Sequence, residues 1–261
     1  MELLGYLGAF FIGIILGLTG GGGSILTVPL LVYVLGYNPV VSAAYSLFVV
    51  GTSSAFGATL NYRKKLVDIK TGIIFAIPSF IGVFMTRKYI VPNIPSVIFQ
   101  KNDIILTKNT FLMLLFALIM LFAALSMIKK TKINLKEVTQ KQYLIKIIIQ
   151  NICIGIIIGL VGAGGGFLII PSLLLIAKLP MKKAVGTSMF IIAMNSLIGF
   201  LGDLQNIDIH WNFLIPFSII SMIGIFTGTY ISKYIDEVQL KKGFAYFVLA
   251  MAIIITGKEL M

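Results

Sequence analysis

The chain has 261 residues, of which 58% are hydrophobic and 11% are charged, and its formal net charge is +12. A soluble domain carries about 25% charged residues, and no charged side chain occurs from Leu3 to Tyr62 or from Ile147 to Ala177, so a water-soluble fold is excluded. The basic residues fall in short stretches between apolar runs, which is typical of anchoring at anionic lipid and excludes a nucleic-acid-binding face.

Ten apolar segments follow one another along the chain, and they predict an all-α integral membrane protein that crosses the cytoplasmic membrane several times. Their approximate bounds are 3–18, 25–36, 40–60, 71–86, 110–128, 147–161, 167–177, 184–202, 211–232 and 243–257. A full span needs about 20 residues. The third, fifth, eighth and ninth segments reach this length, and the fourth and tenth reach it with flanking residues, which leaves the number of full spans open.

Two pairs of segments are interrupted by glycine-rich loops. Thr19–Ser24 separates the first pair and Gly162–Gly166 separates the second. The second segment has 12 residues and would reach only about 18 Å as a helix, against a hydrocarbon core about 30 Å thick. We therefore predict two helix hairpins whose glycine loops lie inside the membrane.

The two halves of the chain repeat each other at a constant interval in the numbering, which aligns Gly17–Pro29 with Gly159–Pro171. We call the interval from Gly17 to Gly159 the repeat offset. The Asp-Ile pairs that begin at Asp68 and Asp208 match at an interval shorter by two and indicate a two-residue indel. The third and eighth segments are rich in small residues, so we expect both at the centre of the bundle. Each half holds five segments, and an odd number inverts the second half relative to the first.

Positive charges select the orientation of these inverted-topology repeats. If each hairpin returns the chain to the side from which it came and the N-terminus lies outside, 16 Lys and Arg residues are cytoplasmic and 5 are external. If each pair forms one broken span, the division is 11 to 10. The positive-inside rule favours the first arrangement. This arrangement divides the chain into a first transmembrane repeat (1–128), a basic cytoplasmic linker (129–146) and a second transmembrane repeat (147–261).

The glycine loops are the predicted substrate site. Inverted repeats with interrupted helices are typical of secondary transporters, which bind their substrate near the midplane between the repeats. Consecutive glycines expose backbone N–H groups, and the helix that follows begins with unpaired N–H donors and a partial positive charge. Each loop is therefore a candidate anion cradle. Close helix packing is the competing role of the same glycines.

The positions of the acidic residues favour a negatively charged substrate. All nine lie in loops or at segment ends, whereas cation transporters and proton relays usually need a carboxylate inside the membrane. Hydroxyl and amide donors do lie within the segments, although helix packing is an alternative role for each hydroxyl. The predicted substrate-binding residues are Thr19, Gly20, Gly21, Gly22, Gly23, Ser24, Ser46, Gly162, Gly164, Gly165, Gly166, Thr187, Ser188 and Asn195.

Two motifs resemble those of a known family. Each is a glycine-rich loop followed by a proline, at Gly20–Pro29 and Gly162–Pro171, and each precedes a helix with small residues at Ala43–Ser46 or Val185–Ser188. With its duplicated halves and basic central loop, the chain resembles the sulfite exporter TauE/SafE family over nearly its whole length. The resemblance implies a permease of the cytoplasmic membrane for sulfite, a sulfonate or a related organic anion.

The sequence offers little for catalysis. One Cys, one His and no acid within a segment do not supply the nucleophile, base or metal ligands of an enzyme, so we expect no catalytic residue, metal or cofactor. The expected partners are a small anionic substrate and the lipid bilayer, and not nucleic acid. A coupling ion or proton and the oligomeric state stay open. The alternatives to a secondary transporter are a passive anion channel and an accessory or structural membrane subunit.

Overall fold

A computed structural model of the protein describes residues 2–21, 23–101, 104–128, 140–162 and 164–260. Within these ranges the chain is almost wholly helical, and its helices follow the order of the ten predicted segments. The prediction of an all-α, multi-pass membrane protein is confirmed. In the described part of the chain, five helices are long and apolar enough to cross a membrane, at 39–63, 69–93, 108–125, 181–203 and 211–231.

Most helices begin and end within three residues of the predicted bounds, but the fourth continues to residue 93 and the sixth and tenth begin at residues 140 and 237, before their predicted starts. Those of the first half are α1 (Glu2–Thr19), α2 (Gly23–Pro29, continued by a π-helix over Leu30–Val34), α3 (Pro39–Arg63), α4 (Ile69–Met85, continued by a π-helix over Thr86–Ile90 and a turn over Val91–Asn93) and α5 (Lys108–Ile128). Those of the second half are α6 (Gln140–Val161), α7 (Gly166–Leu175), α8 (Met181–Asp203), α9 (Trp211–Ile231) and α10 (Glu237–Leu260).

Two capping residues show how the sequence sets helix starts. The side chain of Asn38 accepts the backbone N–H of Val40 at 2.9 Å, and Pro39 occupies the first turn of α3. Asp68 caps α4 by accepting the backbone N–H of Thr71 at 3.1 Å. Each cap satisfies a donor that the first helical turn leaves without an intrahelical partner.

The first glycine loop reverses the direction of the chain. A Cβ atom at Gly23, in the first turn of α2, would lie 2.6 Å from the Cβ of Leu16 near the end of α1. A Cβ atom at Gly5, near the start of α1, would lie 3.0 Å from the side chain of Leu35, which follows α2. The second helix therefore runs back along the first, as predicted.

The second glycine loop also forms a hairpin. Gly165 lies against the side chain of Ile158 near the end of α6. Further along α7, the hydroxyl of Ser172 lies 3.4 Å from the Nε2 of Gln150, which is two turns earlier in α6. The two Gly-rich hairpins of the predicted fold are thus both present.

Helices α3 and α8, which occupy equivalent places in the two halves, cross each other at the centre and run antiparallel. Gly51 packs against Leu197, and Gly57, which is later in α3, packs against Met189, which is earlier in α8. The two helices therefore run in opposite directions. Antiparallel packing of equivalent helices is compatible with inverted repeats, and the inversion itself stays a prediction. The orientation of the two halves across a membrane stays a prediction.

Two further helix crossings match between the halves. Gly13 of α1 packs against the main chain of Ser221 in α9, and Gly155 of α6 packs against the main chain of Ser79 in α4. The repeat offset relates Gly13 to Gly155 and Ser79 to Ser221. Small residues thus let the first helix of each hairpin approach a helix of the other half. Helices α5 and α10 pack against each other.

The two-residue indel predicted from the Asp-Ile pairs is wrong. Asp68 immediately precedes α4 and His210 immediately precedes α9, and the interval between these two residues equals the repeat offset. The helix starts therefore keep the original alignment, and Asp208 is not the structural counterpart of Asp68. The positions at which the helices begin therefore define the alignment of the two halves better than the two similar dipeptides do.

A β-hairpin between α4 and α5 was not predicted. Strand β1 (Val97–Lys101) pairs antiparallel with β2 (Ile104–Thr107). The side chain of Phe99 is 51% exposed. The hairpin lengthens the first half relative to the second, so the interval between the starts of α5 and α10 is shorter than the repeat offset.

Exposed isoleucines mark a lipid-facing surface on both halves. Residues four apart lie on one face of a helix, and a bilayer accepts exposed aliphatic side chains that water would disfavour. These isoleucines lie at four-residue intervals on α4 and at the equivalent positions of α9, as Ile73, Ile77, Ile81, Ile215, Ile219 and Ile223.

Candidate functional site

The two glycine loops meet at the centre of the bundle. Gly21 and Gly166 touch through their main chains, since a Cβ atom at Gly21 would lie 2.5 Å from the Cα of Gly166. A Cβ atom at Gly166 would also lie 2.7 Å from the side chain of Ile192 in the middle of α8. A side chain at either glycine would displace the opposite loop or the helix behind it, so this contact requires residues without a Cβ.

Left-handed backbone shapes both loops. The φ angle is 74° at Gly20 and 72° at the equivalent Gly162, and it is 63° and 75° at Gly164 and Gly165. Residues with a Cβ rarely adopt these angles. Gly165 is the N-cap of α7, so the unpaired N–H groups and partial positive charge of that helix start lie at the loop contact.

Each loop rests on the central helix of the other half. Gly20 packs against Val185 and Ser188 of α8, and Gly162 packs against Ala43 of α3, the position equivalent to Val185. The hydroxyl of Ser188 donates a hydrogen bond to the carbonyl oxygen of Gly20 at 2.8 Å. The structure therefore places Ser188 beside the first loop with its hydroxyl directed at the loop main chain, and its contact with a substrate stays a prediction.

Buried donors without a protein partner lie on the central helices. The amide oxygen of Asn195 accepts the hydroxyl of Ser79 at 2.8 Å, and a Cβ atom at Gly164 would lie 3.0 Å from the hydroxyl of Ser196. A buried polar group without a partner is costly, so these groups are suited to water or a polar ligand. In the described part of α3 and α8, the unpartnered atoms belong to Ser46, Ser53, Ser54, Asn195 (Nδ2) and Ser196.

Thr187 and its counterpart Tyr45 make equivalent hydrogen bonds. The hydroxyl of Thr187 accepts the backbone N–H of Asp68 at 2.9 Å, and the hydroxyl of Tyr45 accepts the backbone N–H of His210 at 2.8 Å. Each hydroxyl ties the loop before α4 or α9 to the central helix of the other half. In the structure Thr187 thus has a hydrogen-bond partner in the loop before α4. That Thr187 binds substrate stays a prediction.

The remaining predicted residues belong to the first loop. The hydroxyl of Thr19 donates to the carbonyl oxygen of Ile15 at 2.7 Å, and Gly23 packs against α1. Gly22 and the side chain of Ser24 lie outside the described residues. Among the residues that the structure does describe, no three His, Cys, Asp or Glu side chains are grouped as a metal site would require.

A cavity of about 230 Å³ lies beside the first loop, at the end of the bundle where α3 ends and α8 begins. Three lysines from three different elements line it, Lys64 after α3, Lys182 in the first turn of α8 and Lys233 after α9. All three belong to stretches predicted to be cytoplasmic. The described residues of the lining include no carboxylate, so the cavity carries a positive potential that attracts anions. We call it the lysine cavity.

The lysine cavity reaches the first glycine loop. Gly17 and Leu18, just before the loop, form part of its wall together with Val185, against which Gly20 packs. Thr229 also lines the cavity, and its buried hydroxyl has no partner among the described residues. An ion in this cavity would therefore lie close to the main chain of the predicted cradle.

The charge of one cavity lysine acts on another. Burial, followed by the nearby positive charge of Lys233, lowers the pKa of Lys64 below its ordinary value. Both effects raise the free energy of the charged form. An anion bound between the two ammonium groups would reduce this repulsion.

The equivalent place at the opposite end of the bundle is filled by an ion pair. The repeat offset relates Asn61 and Thr229, which line the lysine cavity, to Asp203 and Arg87. The Nε of Arg87 lies 2.7 Å from the Oδ2 of Asp203, and the two side chains form a salt bridge. Arg87 is 0% exposed and Asp203 is 3% exposed. At one end of the fold these positions border an open, basic cavity, and at the other they are closed by a buried salt bridge.

Sequence reasoning missed the lysine cavity and the buried pair. The charge count assigns Arg87 and Asp203 to external loops, whereas the structure buries both at helix ends. A signal was present in the repeat. An acid and a base replace Asn61 and Thr229 at the two equivalent positions of the other end, which indicates that the two charges compensate each other.

Comparison with known proteins agrees with this architecture. A family model described as sulfite exporter TauE/SafE matches residues 5–255. A probable membrane transporter protein of Xylella fastidiosa (strain 9a5c) is 27% identical over 255 residues, which cover 95% of this chain and 92% of that protein. The probable membrane transporter protein YunE of Bacillus subtilis (strain 168) is 28% identical over 232 residues, which cover 78% and 81%. No solved structure matches the chain significantly.

Proposed function

The chain belongs to the sulfite exporter TauE/SafE family of membrane transporters, and from this we propose that it carries a small anion across the cytoplasmic membrane by alternating access. The proposed substrate is sulfite, a sulfonate or a related organic anion, in keeping with the family's description. In this proposal the lysine cavity attracts the anion, and the glycine loops and nearby buried donors bind it.

The lysine cavity is the observation that carries the proposal. Lys64, Lys182 and Lys233 surround a space of about 230 Å³ whose described lining has no carboxylate, which accommodates a small oxyanion with water. A unit charge 4 Å from an anion is worth about 1 kcal/mol in water and about 4 kcal/mol near a protein surface. A cation would be repelled to the same extent, so the charge of the cavity supports a negative substrate.

The loops supply a second set of anion-binding groups. The start of α7, capped by Gly165, presents N–H donors that suit an oxyanion. Ser196 adds an unpartnered hydroxyl that would lie 3.0 Å from a Cβ atom at Gly164, and Asn195 and Ser46 add a buried, unpartnered Nδ2 and hydroxyl on the two central helices. In this proposal, an anion that leaves the lysine cavity along Val185 meets these neutral donors next. The donors replace part of its hydration shell, and because they carry no charge they do not bind it too tightly for release.

Two alternatives differ from this proposal in what they require. An accessory or structural subunit needs a partner for any transport, so transport by the purified chain alone would exclude it. A passive anion channel needs a path that is open at both ends at once. The burial of Arg87 and Asp203 at one end, opposite the lysine cavity, favours alternating access over a channel.

A thermal-stability titration of the purified protein in detergent tests the substrate class. The panel is sulfite, sulfate, thiosulfate, sulfonates and carboxylates, each as the salt of one cation. A ligand that binds only the folded state stabilises it by about 2.7 kcal/mol at 100 times its Kd, so we expect a saturable rise of the midpoint with at least one anion. The absence of a saturable response across the panel would contradict the proposal.

Matched lysine variants test the site. Lys64→Gln, Lys182→Gln and Lys233→Gln are each expected to weaken apparent anion affinity by roughly 5- to 30-fold, since one nearby charge contributes about 1–2 kcal/mol. Lys183→Gln is the control, because Lys183 lies in the same turn of α8 as Lys182 and is likewise exposed, but it does not line the cavity. Equal losses in the control and the cavity variants would remove the support for this site.

A further inference from the structure

A buried ion pair joins the two halves of the protein at the end opposite the lysine cavity. The Nε of Arg87 donates to the Oδ2 of Asp203 at 2.7 Å, and its Nη1 lies 3.4 Å from the carbonyl oxygen of Gly159. Arg87 belongs to α4 in the first half, whereas Asp203 and Gly159 belong to α8 and α6 in the second. Any motion that separates the halves at this end must break these contacts.

Close packing seals the pair from the surface. A Cβ atom at Gly202 would lie 3.2 Å from the Cβ of Arg87, and one at Gly159 would lie 2.6 Å from the Cβ of Thr86. The hydroxyl of Thr86 is buried and has no partner among the described residues. Removing two charges from water costs about as much free energy as their attraction returns, so stability alone does not account for a charged pair at this depth. Ionisable groups buried in membrane proteins are usually functional.

The position of the pair in the repeat indicates what that function is. The repeat offset relates three residues of this closed end to three residues that line the lysine cavity. Equivalent sites in inverted repeats are expected to open in turn as the two halves change their relative orientation. The three equivalences are Gly159 with Gly17, Asp203 with Asn61 and Arg87 with Thr229.

We infer that the Arg87–Asp203 pair is the outer gate of the transporter, and that the state open to the outside forms when the two side chains separate. Arg87 lies in the π-helix over Thr86–Ile90. Such segments are frequent at functional sites and interrupt the regular helical ladder, so this part of α4 is suited to a local shift. The inference rests on the proposed transport function. The assignment of this gate to the outer side of the membrane rests on the predicted topology.

Reporter cysteines test whether the pair is a barrier. Cys153 is exposed and is first replaced by Ser. Ala43 is 3% exposed at the closed end, and its counterpart Val185 is 6% exposed and lines the lysine cavity. A membrane-impermeant maleimide is applied to one or the other side of sealed vesicles. With the pair intact, Ala43→Cys is expected to be protected and Val185→Cys to be labelled from the cytoplasmic side.

The double variant Arg87→Thr/Asp203→Asn then removes the pair. It copies the residues of the open end and leaves no unpaired buried charge, which limits the damage to folding. Labelling of Ala43→Cys from outside is expected to become severalfold faster and labelling of Val185→Cys to slow, because opening one end shifts the population away from the other. Unchanged protection of Ala43→Cys in a monodisperse, folded double variant would overturn the inference and leave the pair as a structural clamp.

A milder variant keeps the test decisive if the double variant does not fold. Arg87→Lys retains the charge but loses the Nε and Nη1 contacts, so we expect the same direction of change at Ala43→Cys with a smaller increase. Unchanged protection there would also overturn the gate. The labelling readout needs no substrate, so a failure of anion binding and a failure of the gate are observed independently.

Discussion

The hydroxyl of Ser188 donates a hydrogen bond to the carbonyl oxygen of Gly20, 168 residues earlier in the chain, at 2.8 Å. The same hydroxyl also lies 2.8 Å from the carbonyl oxygen of Val185, so one proton is shared between two acceptors. This bond fixes the first glycine loop to the central helix of the second half. Ser46 holds the equivalent position in the first half and has no such partner among the described residues. Two loops that are alike in sequence are therefore held differently.

This difference predicts unequal effects of the same substitution. Ser188→Ala is expected to lower the free energy of unfolding by about 1–3 kcal/mol, because it leaves the buried carbonyl of Gly20 less well paired. Ser46→Ala is expected to change it by less than about 0.5 kcal/mol, since no protein hydrogen bond is lost. Denaturant unfolding in detergent measures both. Equal destabilisation by the two variants would show that the bond seen at Ser188 is not the cause.

The contact between the loops predicts intolerance to a single methyl group. Gly21→Ala is expected to lower the free energy of unfolding by about 1–3 kcal/mol or more, because the new Cβ would lie 2.5 Å from the Cα of Gly166. Gly243→Ala is the control, since nothing lies within 4 Å of a Cβ at that position of α10. The control should be neutral or stabilise the helix by up to about 1 kcal/mol. Comparable unfolding curves for the two variants would contradict the close approach of the loops.

The lowered pKa of Lys64 predicts how anion affinity depends on pH. Anion binding needs the charged form, and burial and the charge of Lys233 place the pKa of Lys64 below the ordinary 10.5. Affinity should therefore fall as pH rises through this lowered pKa, where an unperturbed lysine would still be charged. Sulfate is a suitable probe because its own charge is constant over this range.

The variant Lys233→Gln separates the two causes. It removes the neighbouring charge but not the burial, so the pKa of Lys64 should rise towards 10.5 without reaching it, and the loss of affinity should move to higher pH. Binding titrations at a series of pH values measure the midpoint of this loss. A midpoint that is the same in the variant and the parent would argue against an interaction between the two lysines.

The predicted membrane orientation is tested at the two ends of one helix. Lys183 lies in the first turn of α8 and Asn206 lies just after its end, and both are exposed. In a background without Cys153, Asn206→Cys should react with an impermeant maleimide from outside and Lys183→Cys only from the cytoplasm. The reverse pattern would invert the assignment based on the positive-inside rule.

Much of the fold could be predicted from the sequence, because its signals are local. The glycine loop at Thr19–Ser24, followed by a segment too short to cross, predicts a hairpin, and the structure has one. The small residues of α3 and α8 predict a central position, and these helices form the central crossing. The β-hairpin could not be predicted in the same way, because short apolar strands share their composition with the ends of membrane helices.

The site could be predicted only in part, because its charges depend on where helices end. The predicted fourth segment ends at residue 86, but α4 continues through a π-helix and a further turn to Asn93, which carries Arg87 into the bundle. Helix ends are the least certain feature of a sequence prediction. The lysine cavity likewise joins Lys64, Lys182 and Lys233 from three separate stretches, and their proximity follows from the packing of α3, α8 and α9.

Counterflow in proteoliposomes tests the transport claim most directly. Vesicles that contain only the purified protein are loaded with a high concentration of unlabelled anion, chosen from the binding titration, and diluted into a trace of the labelled anion. A carrier that exposes its site to one side at a time should accumulate label transiently above its equilibrium level, without any need to know the coupling ion, and Lys182→Gln should reduce this accumulation more than Lys183→Gln. Label that never exceeds equilibrium, or that enters no faster than into vesicles without protein, would contradict a carrier that binds a small anion between its two halves.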